Sequence, residues 1–285
     1  MSFLLLVTLN ALTVAALYFL VASGFSLIFG VLRTVNMAHG AYYLAGAYVG
    51  WDVAGRSGSW LLGLAAGGVA VAILGVLAQQ LLMRRLGSDE LRQALLSIGL
   101  AIVIGDLLVA RYGGDTYQFE LPAALAGSTA LPVIGTYPTF RLLVIPIALA
   151  AGFVLWLILH RTRTGMLIRA GVDDREILAA MGFKVSGVLA TVVGLGAALA
   201  GVAGVVGGSV LSVSPGEDHR FLLSSLAVVI VGGMGNLAGA AVGALLIGLS
   251  EQFGLALAPN YATFFVFMLM VLVLAIRPQG LMGRA

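Results

Sequence analysis

The chain has 285 residues, of which 61% are hydrophobic and only 9% charged, with a net charge of +3. Globular proteins carry about 25% charged residues, so a soluble domain, a disordered chain and a nucleic-acid binder are all excluded. Cysteine is absent, which removes disulfides and thiolate metal sites, and 39 glycines, about twice the usual frequency, point to close helix contacts and interrupted helices.

Apolar runs suited to a ~30 Å hydrocarbon layer follow one another at 3–30, 40–55, 60–82, 93–110, 141–159, 188–211, 222–250 and 261–276. They are continuous rather than alternating, which excludes an outer-membrane barrel. The expectation is an all-α, polytopic helical membrane protein of about eight spans, with 1–285 as a single transmembrane domain. The first run has no Lys or Arg before it, is too long for a signal peptide and is interrupted by Asn10, so it reads as a retained span.

RTVNMAHGAYYLAGAY (33–48) joins the first two runs with almost no loop, yet holds Arg33, Asn36 and His39. Polar groups at membrane depth are costly and tend to face a cavity or pathway. Asn36 is also positioned to cap a helix starting near Ala38. A short turn at the inner face, marked by Arg33, is the alternative. Further on, Asp106 lies near the end of the fourth run. The segment 111–140, with Asp115, Glu120, Pro122, Pro132 and Pro138, is long for a simple connection and suits a pore cap or an external contact.

The longest basic loop is RTRTGMLIRAGVDDREILAAMGFKVSG (161–187). Within it, Asp173 to Met181 predicts a short helix, with Asp173 and Asp174 at its positive N-terminal end and Gly182 after it. Ile177, Leu178 and Met181 fall on one face, while Arg175 and Glu176 point elsewhere. Such a helix suits docking into a partner's groove or lying on lipid headgroups; the pattern does not separate the two. Along 188–211 the small residues Ala197, Gly201, Gly204, Gly207 and Gly208 predict tight helix packing.

The run 222–250 contains VGGMGNLAGAAVG (231–243), with Gly232, Gly233 and Gly235 just before Asn236. It reads either as one long tilted helix or as two shorter helices, about 222–232 and 237–250, broken at the glycines. Broken backbone at membrane depth is tolerated where it is buried in protein or lines a cavity. Glu251 ends the run and reads, like Asp106, as interfacial, with no basic partner evident.

Charge placement orients the chain. Arg33, Arg84, Arg85, Arg92, Arg161, Arg163, Arg169, Arg175, Lys184, Arg277 and Arg284 fall on one side, leaving Arg56, Arg111, Arg141 and Arg220 on the other. The positive-inside rule then places the N-terminus outside and the C-terminus in the cytoplasm. Lys184 and Arg277 share a side, so an even number of crossings must separate them, which favours the broken pair. No H-E-x-x-H helix, G-x-S-x-G elbow or G-x-x-x-x-G-K-[ST] phosphate loop is present, and His39, His160 and His219 lack ligand-like spacing. No catalytic or metal site is predicted, so any energy source lies in a gradient or in another polypeptide.

Four segments, SLIFGVLRTVNMAHGAYYLAGAY (26–48), DDREILAAMG (173–182), VVIVGGMGNLAGAAVGALLIG (228–248) and RPQGLMG (277–283), closely resemble the LivH-type permease subunits of bacterial branched-chain amino acid ABC importers. The likeness covers essentially the whole chain. It implies an inner-membrane permease working with a second LivM-like permease, two cytoplasmic ATPase subunits and an external substrate-binding protein. ATP and Mg would be bound by the partner subunits, and no cofactor by this chain.

The resemblance also makes 173–182 an ATPase-coupling helix, with Asp173, Asp174, Arg175, Glu176, Ala179, Ala180 and Gly182 as coupling residues. Asn36, His39, Gly232, Gly233, Gly235 and Asn236 are expected nearest the translocation path, where free N–H groups of a helix starting near Leu237 would face a substrate carboxylate. Substrates in the wider family include leucine, isoleucine and valine, other amino acids, and urea or short amides. The rival reading, a gradient-driven secondary transporter or channel, would rely on Asp106 and Glu251.

Overall fold

The computed structural model describes residues 2–87, 89–132, 135–173 and 175–283. The helices are α1 (Ser2–Leu32), α2 (His39–Ser57), α3 (Trp60–Leu81), α4 (Glu90–Tyr112), α5 (Thr139–Arg161), α6 (Arg163–Asp173), α7 (Arg175–Ala180), α8 (Val185–Leu211), α9 (Glu217–Gly232), α10 (Leu237–Leu257) and α11 (Ala262–Ile276). Among the described residues, α1, α3, α4, α5, α8, α10 and α11 are long and apolar enough to span a membrane. The chain is a multi-pass membrane protein. The expected second run is present as α2, but its polar residues keep it from qualifying by composition. The expected 222–250 run is broken into α9 and α10.

α8 is the most enclosed of the spanning helices and lies against α1, α2 and α3. Its small-residue stripe explains this. A Cβ on Gly201 would strike the Gly67 carbonyl of α3, and one on Gly204 would strike the Tyr43 carbonyl of α2. α1 continues the packing on its other side, against α5, α9 and α10. By contrast α4, α5 and α11 turn broad apolar faces outward, with Leu107, Leu149 and Phe264 at least 60% exposed. Lipid or another apolar chain is the natural solvent for such faces.

The two ends of the bundle differ. One gathers the α1–α2 turn, the start of α4 and the loop helices α6 and α7. There Thr34 Oγ1 donates to Gln93 Oε1 at 3.1 Å, and Arg33 Nη2 donates to the Val172 carbonyl at 3.3 Å. Most of the arginines lie at this end, called here the basic end. The other end carries a feature that the sequence reading did not contain: an antiparallel ribbon of β1 (Ser128–Leu131) and β2 (Gly135–Pro138) within the expected 111–140 segment. Tyr137 of β2 donates to Asn10 Oδ1 of α1 at 2.9 Å, and Tyr117 pairs with Val213 beyond α8. The long connection is thereby tied down over the helix ends.

Candidate translocation and coupling sites

The polar turn at 33–39 is internally satisfied. Asn36 Oδ1 accepts the Ala38 N–H at 3.0 Å, two residues on, and the Asn36 carbonyl accepts the His39 N–H at 3.2 Å. Ser97 Oγ of α4 accepts the Met37 N–H at 2.9 Å. The helix starts at His39, one residue later than expected, so Asn36 braces the turn rather than acting as the N-cap itself. His39 is 0% exposed, its Nε2–H directed at the Val21 carbonyl of α1 at 3.0 Å and its ring edge-on to Phe25. Its Nδ1 is buried without a hydrogen-bond partner among the described residues. Asn36 and His39 therefore share one turn, and His39 is enclosed between α1 and α2.

The glycine break is a helical hairpin. α9 ends at Gly232 and α10 starts at Leu237, and the two run antiparallel at backbone contact distance. A Cβ on Gly232 would strike the Gly239 carbonyl, and one on Gly243 would strike the Val228 carbonyl. Gly233 (φ +109°) and Gly235 (φ +78°) take up the reversal in backbone conformations that L side chains rarely adopt. The turn sits at the basic end, against Gly30 in the last turn of α1, and not halfway along the bundle.

Residues 281–283 clasp this turn from outside. The Leu281 and Met282 N–H groups donate to the Val231 and Gly232 carbonyls, each at 2.9 Å, and so satisfy acceptors that a helix end leaves free. Asn236 works on both sides: its Oδ1 caps the Gly239 N–H at 3.0 Å, and its Nδ2 donates to the Met282 carbonyl at 2.7 Å. One of the free N–H groups expected to face a carboxylate is thus already bonded within the chain. The RPQGLMG segment, which carried only a resemblance in the sequence, has a physical task in holding the hairpin closed.

The basic loop differs from expectation in its division. Asp173 is the last residue of α6, not the first of the docking helix, which is the six-residue α7. Asp174, like Arg284, lies outside the described residues, as do the side chains of Asp173, Arg175 and Glu176. α6 occupies part of the expected loop and is fixed by Ile168, buried against Leu27, Val31, Leu155 and Val192. The expected single apolar face of α7 is split. Leu178 is buried beside Gly171 of α6, while Ile177 and Met181 remain 59% and 68% exposed. Ala179 and Ala180 are exposed on the same short helix, and Gly182 (φ +84°) ends it.

One charged cluster was missed. Arg220 in the first turn of α9 and Glu251 near the end of α10 meet at 3.5 Å. Glu251 also accepts the Tyr18 hydroxyl of α1 at 2.5 Å. Glu217 lies 3.7 Å from Arg220, its Oε2 buried without a hydrogen-bond partner. The sequence shows no basic partner for Glu251; the structure supplies one in Arg220. The hairpin register supplied the missing signal: Gly232 with Gly239, Val228 with Gly243, and Arg220 with Glu251 are each equally spaced about the turn. Asp106 remains on an exposed face of α4.

Two cavities stand out. One of 360 Å³ lies between α1 and α5 and is lined by Phe19, Leu149, Gly152, Phe153 and Trp156, with little polar surface to orient a ligand. The second, of 230 Å³, has Arg220, Glu251 and Tyr18 in its wall. Among the described residues no group of three or more His, Asp or Glu side chains is placed to hold a metal ion.

The sequence matches the family model described as branched-chain amino acid transport system, permease component, over residues 7–274. It is 28% identical to the high-affinity branched-chain amino acid transport system permease protein BraD of Pseudomonas aeruginosa, over 96% of this chain and 94% of that one. Identity to the corresponding permease protein LivH of Escherichia coli is 27%, with the same coverage. A probable branched-chain amino acid transport permease of Methanocaldococcus jannaschii is 28% identical, over 96% of this chain and 91% of that one. No solved structure is a significant match.

Proposed function

This chain belongs to the permease component family of branched-chain amino acid transport systems, and on that footing we propose that it lines the membrane path of an ATP-driven importer for leucine, isoleucine and valine. A second, LivM-like permease completes the path, two cytoplasmic ATPases drive it, and an external binding protein delivers the substrate. ATP and Mg belong to the ATPases. The N-terminus lies outside and the basic end in the cytoplasm of a bacterial inner membrane, as the distribution of arginines favours.

The observation that carries the reading is the family match along nearly the whole chain, with α7 projecting from the basic end. α7 touches α6 and α8, and Ile177 on it and Met181 just after it are exposed. Such a helix fits a groove on an ATPase. Movement of α7 passes to α8 through the short link 181–184, and to α1 through α6, where Arg33 holds the Val172 carbonyl. Because α8 packs against α1, α2 and α3, the stroke reaches the core of the bundle.

In this reading Asn36, His39, Gly232, Gly233, Gly235 and Asn236 lie nearest the path, His39 deeper in the bundle than the glycine turn at the basic end. The hairpin turn rests on Gly30 in the last turn of α1, whereas Gly40, next to His39, lies against Asp218 at the opposite end of α9. The residues Asp173 to Gly182 form the coupling segment.

The test is co-purification with the neighbouring permease and ATPases, then ATP hydrolysis in lipid with loaded receptor. Stimulation by receptor carrying leucine, isoleucine or valine is expected. Stimulation only by a receptor carrying urea or a short amide would keep the importer and change its substrate. Uptake by this chain alone, driven by an ion gradient, would replace the reading with a secondary carrier.

A further inference from the structure

The 230 Å³ cavity combines two chemistries that rarely meet inside a membrane bundle. Its floor is an Arg–Glu pair bonded to a tyrosine hydroxyl, and Leu223, Ala227, Leu255, Val266 and Phe267 contribute its apolar wall. Ionisable residues within spanning helices are costly and mark pathways or ligand sites. Arg220 enters from the first turn of α9, and Glu251, whose side chain is 17% exposed, lies six residues before the end of α10 at Leu257.

The pair is incompletely satisfied. Arg220 approaches its two carboxylates at 3.5 and 3.7 Å, well beyond the ~2.7–2.9 Å of a close charge-assisted bond. It keeps donors free, and its side chain is half-exposed. Glu251 has lone pairs to spare beyond those used by Tyr18 and Arg220.

We propose that this cavity is a binding site for a zwitterionic amino acid with an aliphatic side chain. Glu251 takes the ammonium group and Arg220 turns its free donors to the carboxylate, so each charge of the zwitterion meets its opposite and the net charge of the cluster is unchanged. The Tyr18 hydroxyl fixes the Glu251 carboxylate, and the wall of Leu223, Leu255, Val266 and Phe267 receives the side chain. The assignment rests on the importer reading for its choice of ligand, but it places selectivity in the permease as well as in the receptor. It also sets the site between α9, α10, α11 and α1, away from the turns at the basic end.

The assembled importer in proteoliposomes, with receptor and ATPases, provides the first test. Glu251→Gln, Arg220→Gln and the double variant are each expected to lose at least about tenfold in leucine uptake, the scale of one lost charged hydrogen bond. Co-purification of the complete complex should be unchanged in all three, which separates lost binding from lost assembly. Wild-type uptake in the single variants overturns the proposal. So does full uptake in the double variant, which would make the pair a structural ion pair only. Tyr18→Phe, which removes one hydroxyl and keeps the packing, is expected to raise KM severalfold with kcat little changed.

A second arm needs no ATPase: equilibrium binding of labelled leucine to this chain in nanodiscs. Unlabelled leucine should compete, whereas 4-methylpentanoate, lacking the ammonium, and leucinamide, lacking the carboxylate, should not. Arg220→Gln should abolish the signal. If no receptor stimulates ATP hydrolysis, the importer reading falls while this arm still decides the site. Absence of saturable leucine binding, or competition by either analogue, overturns the proposal.

Discussion

Glycine does two different jobs in this chain, and each residue's surroundings separate them. Gly204 is a contact glycine: its missing Cβ is the space that the Tyr43 carbonyl occupies. Gly105 on α4 has nothing within 4 Å of its would-be Cβ. Gly204→Ala is therefore expected to destabilise the protein by about 1–3 kcal/mol through overpacking. Gly105→Ala should be neutral or stabilising by up to about 1 kcal/mol, because alanine is the better helix former. Thermal unfolding in detergent compares the two directly; equal effects would remove the distinction. The stripe on α8 was legible because contact along one helix follows spacing. Arg220 and Glu251 were not, because they lie on different helices and meet only when the hairpin register is known. His39 was visible as polar, yet nothing local revealed that Val21 would receive its Nε2–H.

At the scale of elements, the hairpin α9–α10 and the loop helices carry the predictions. Asn236 caps α10 and holds residue 282 at once. Asn236→Ala is expected to cost about 1 kcal/mol from the cap, plus the released contact with Met282. The measurable sign is faster hydrogen exchange at Gly239 and in the 281–283 segment, with α8 unchanged. Protection in 281–283 equal to wild type would show that Asn236 does not hold the clasp.

α7 offers a sharper case, because Met181 is exposed and Leu178 is buried. Met181→Asp should weaken ATPase association by tenfold or more while leaving this chain's own melting unaltered. Leu178→Asp should lower the melting temperature itself. If both variants acted only on melting, the docking role of α7 would fail. The break before Asn236 was readable from three clustered glycines. α6 was not, since its anchoring residue Ile168 has buried neighbours on α1, α5 and α8 that no local pattern announces.

For the whole molecule, the fold class and most of the span order followed from apolar runs alone, because each span must bury its backbone polar groups within itself. The β ribbon escaped that logic: four-residue strands outside the bundle have no period long enough to read. Orientation is directly testable, since the chain contains no cysteine and a single introduced thiol is unambiguous. In intact cells a membrane-impermeant thiol reagent is expected to label Gly127→Cys beside the ribbon and to spare Gly87→Cys at the basic end. Labelling of Gly87→Cys alone would invert the topology, and with it the side from which the α9–α10–α11 cavity fills.

The clasp at 281–283 has one more consequence, in the order of synthesis. The carbonyls of Val231 and Gly232 leave the ribosome early, and their donors on Leu281 and Met282 follow only after two further helices have been made. Until then these two carbonyls lack the donors that hold them in the folded chain. The clasp therefore ties the end of α9 to residues made only after α10 and α11, so the hairpin cannot be fully closed before α11 has been synthesised.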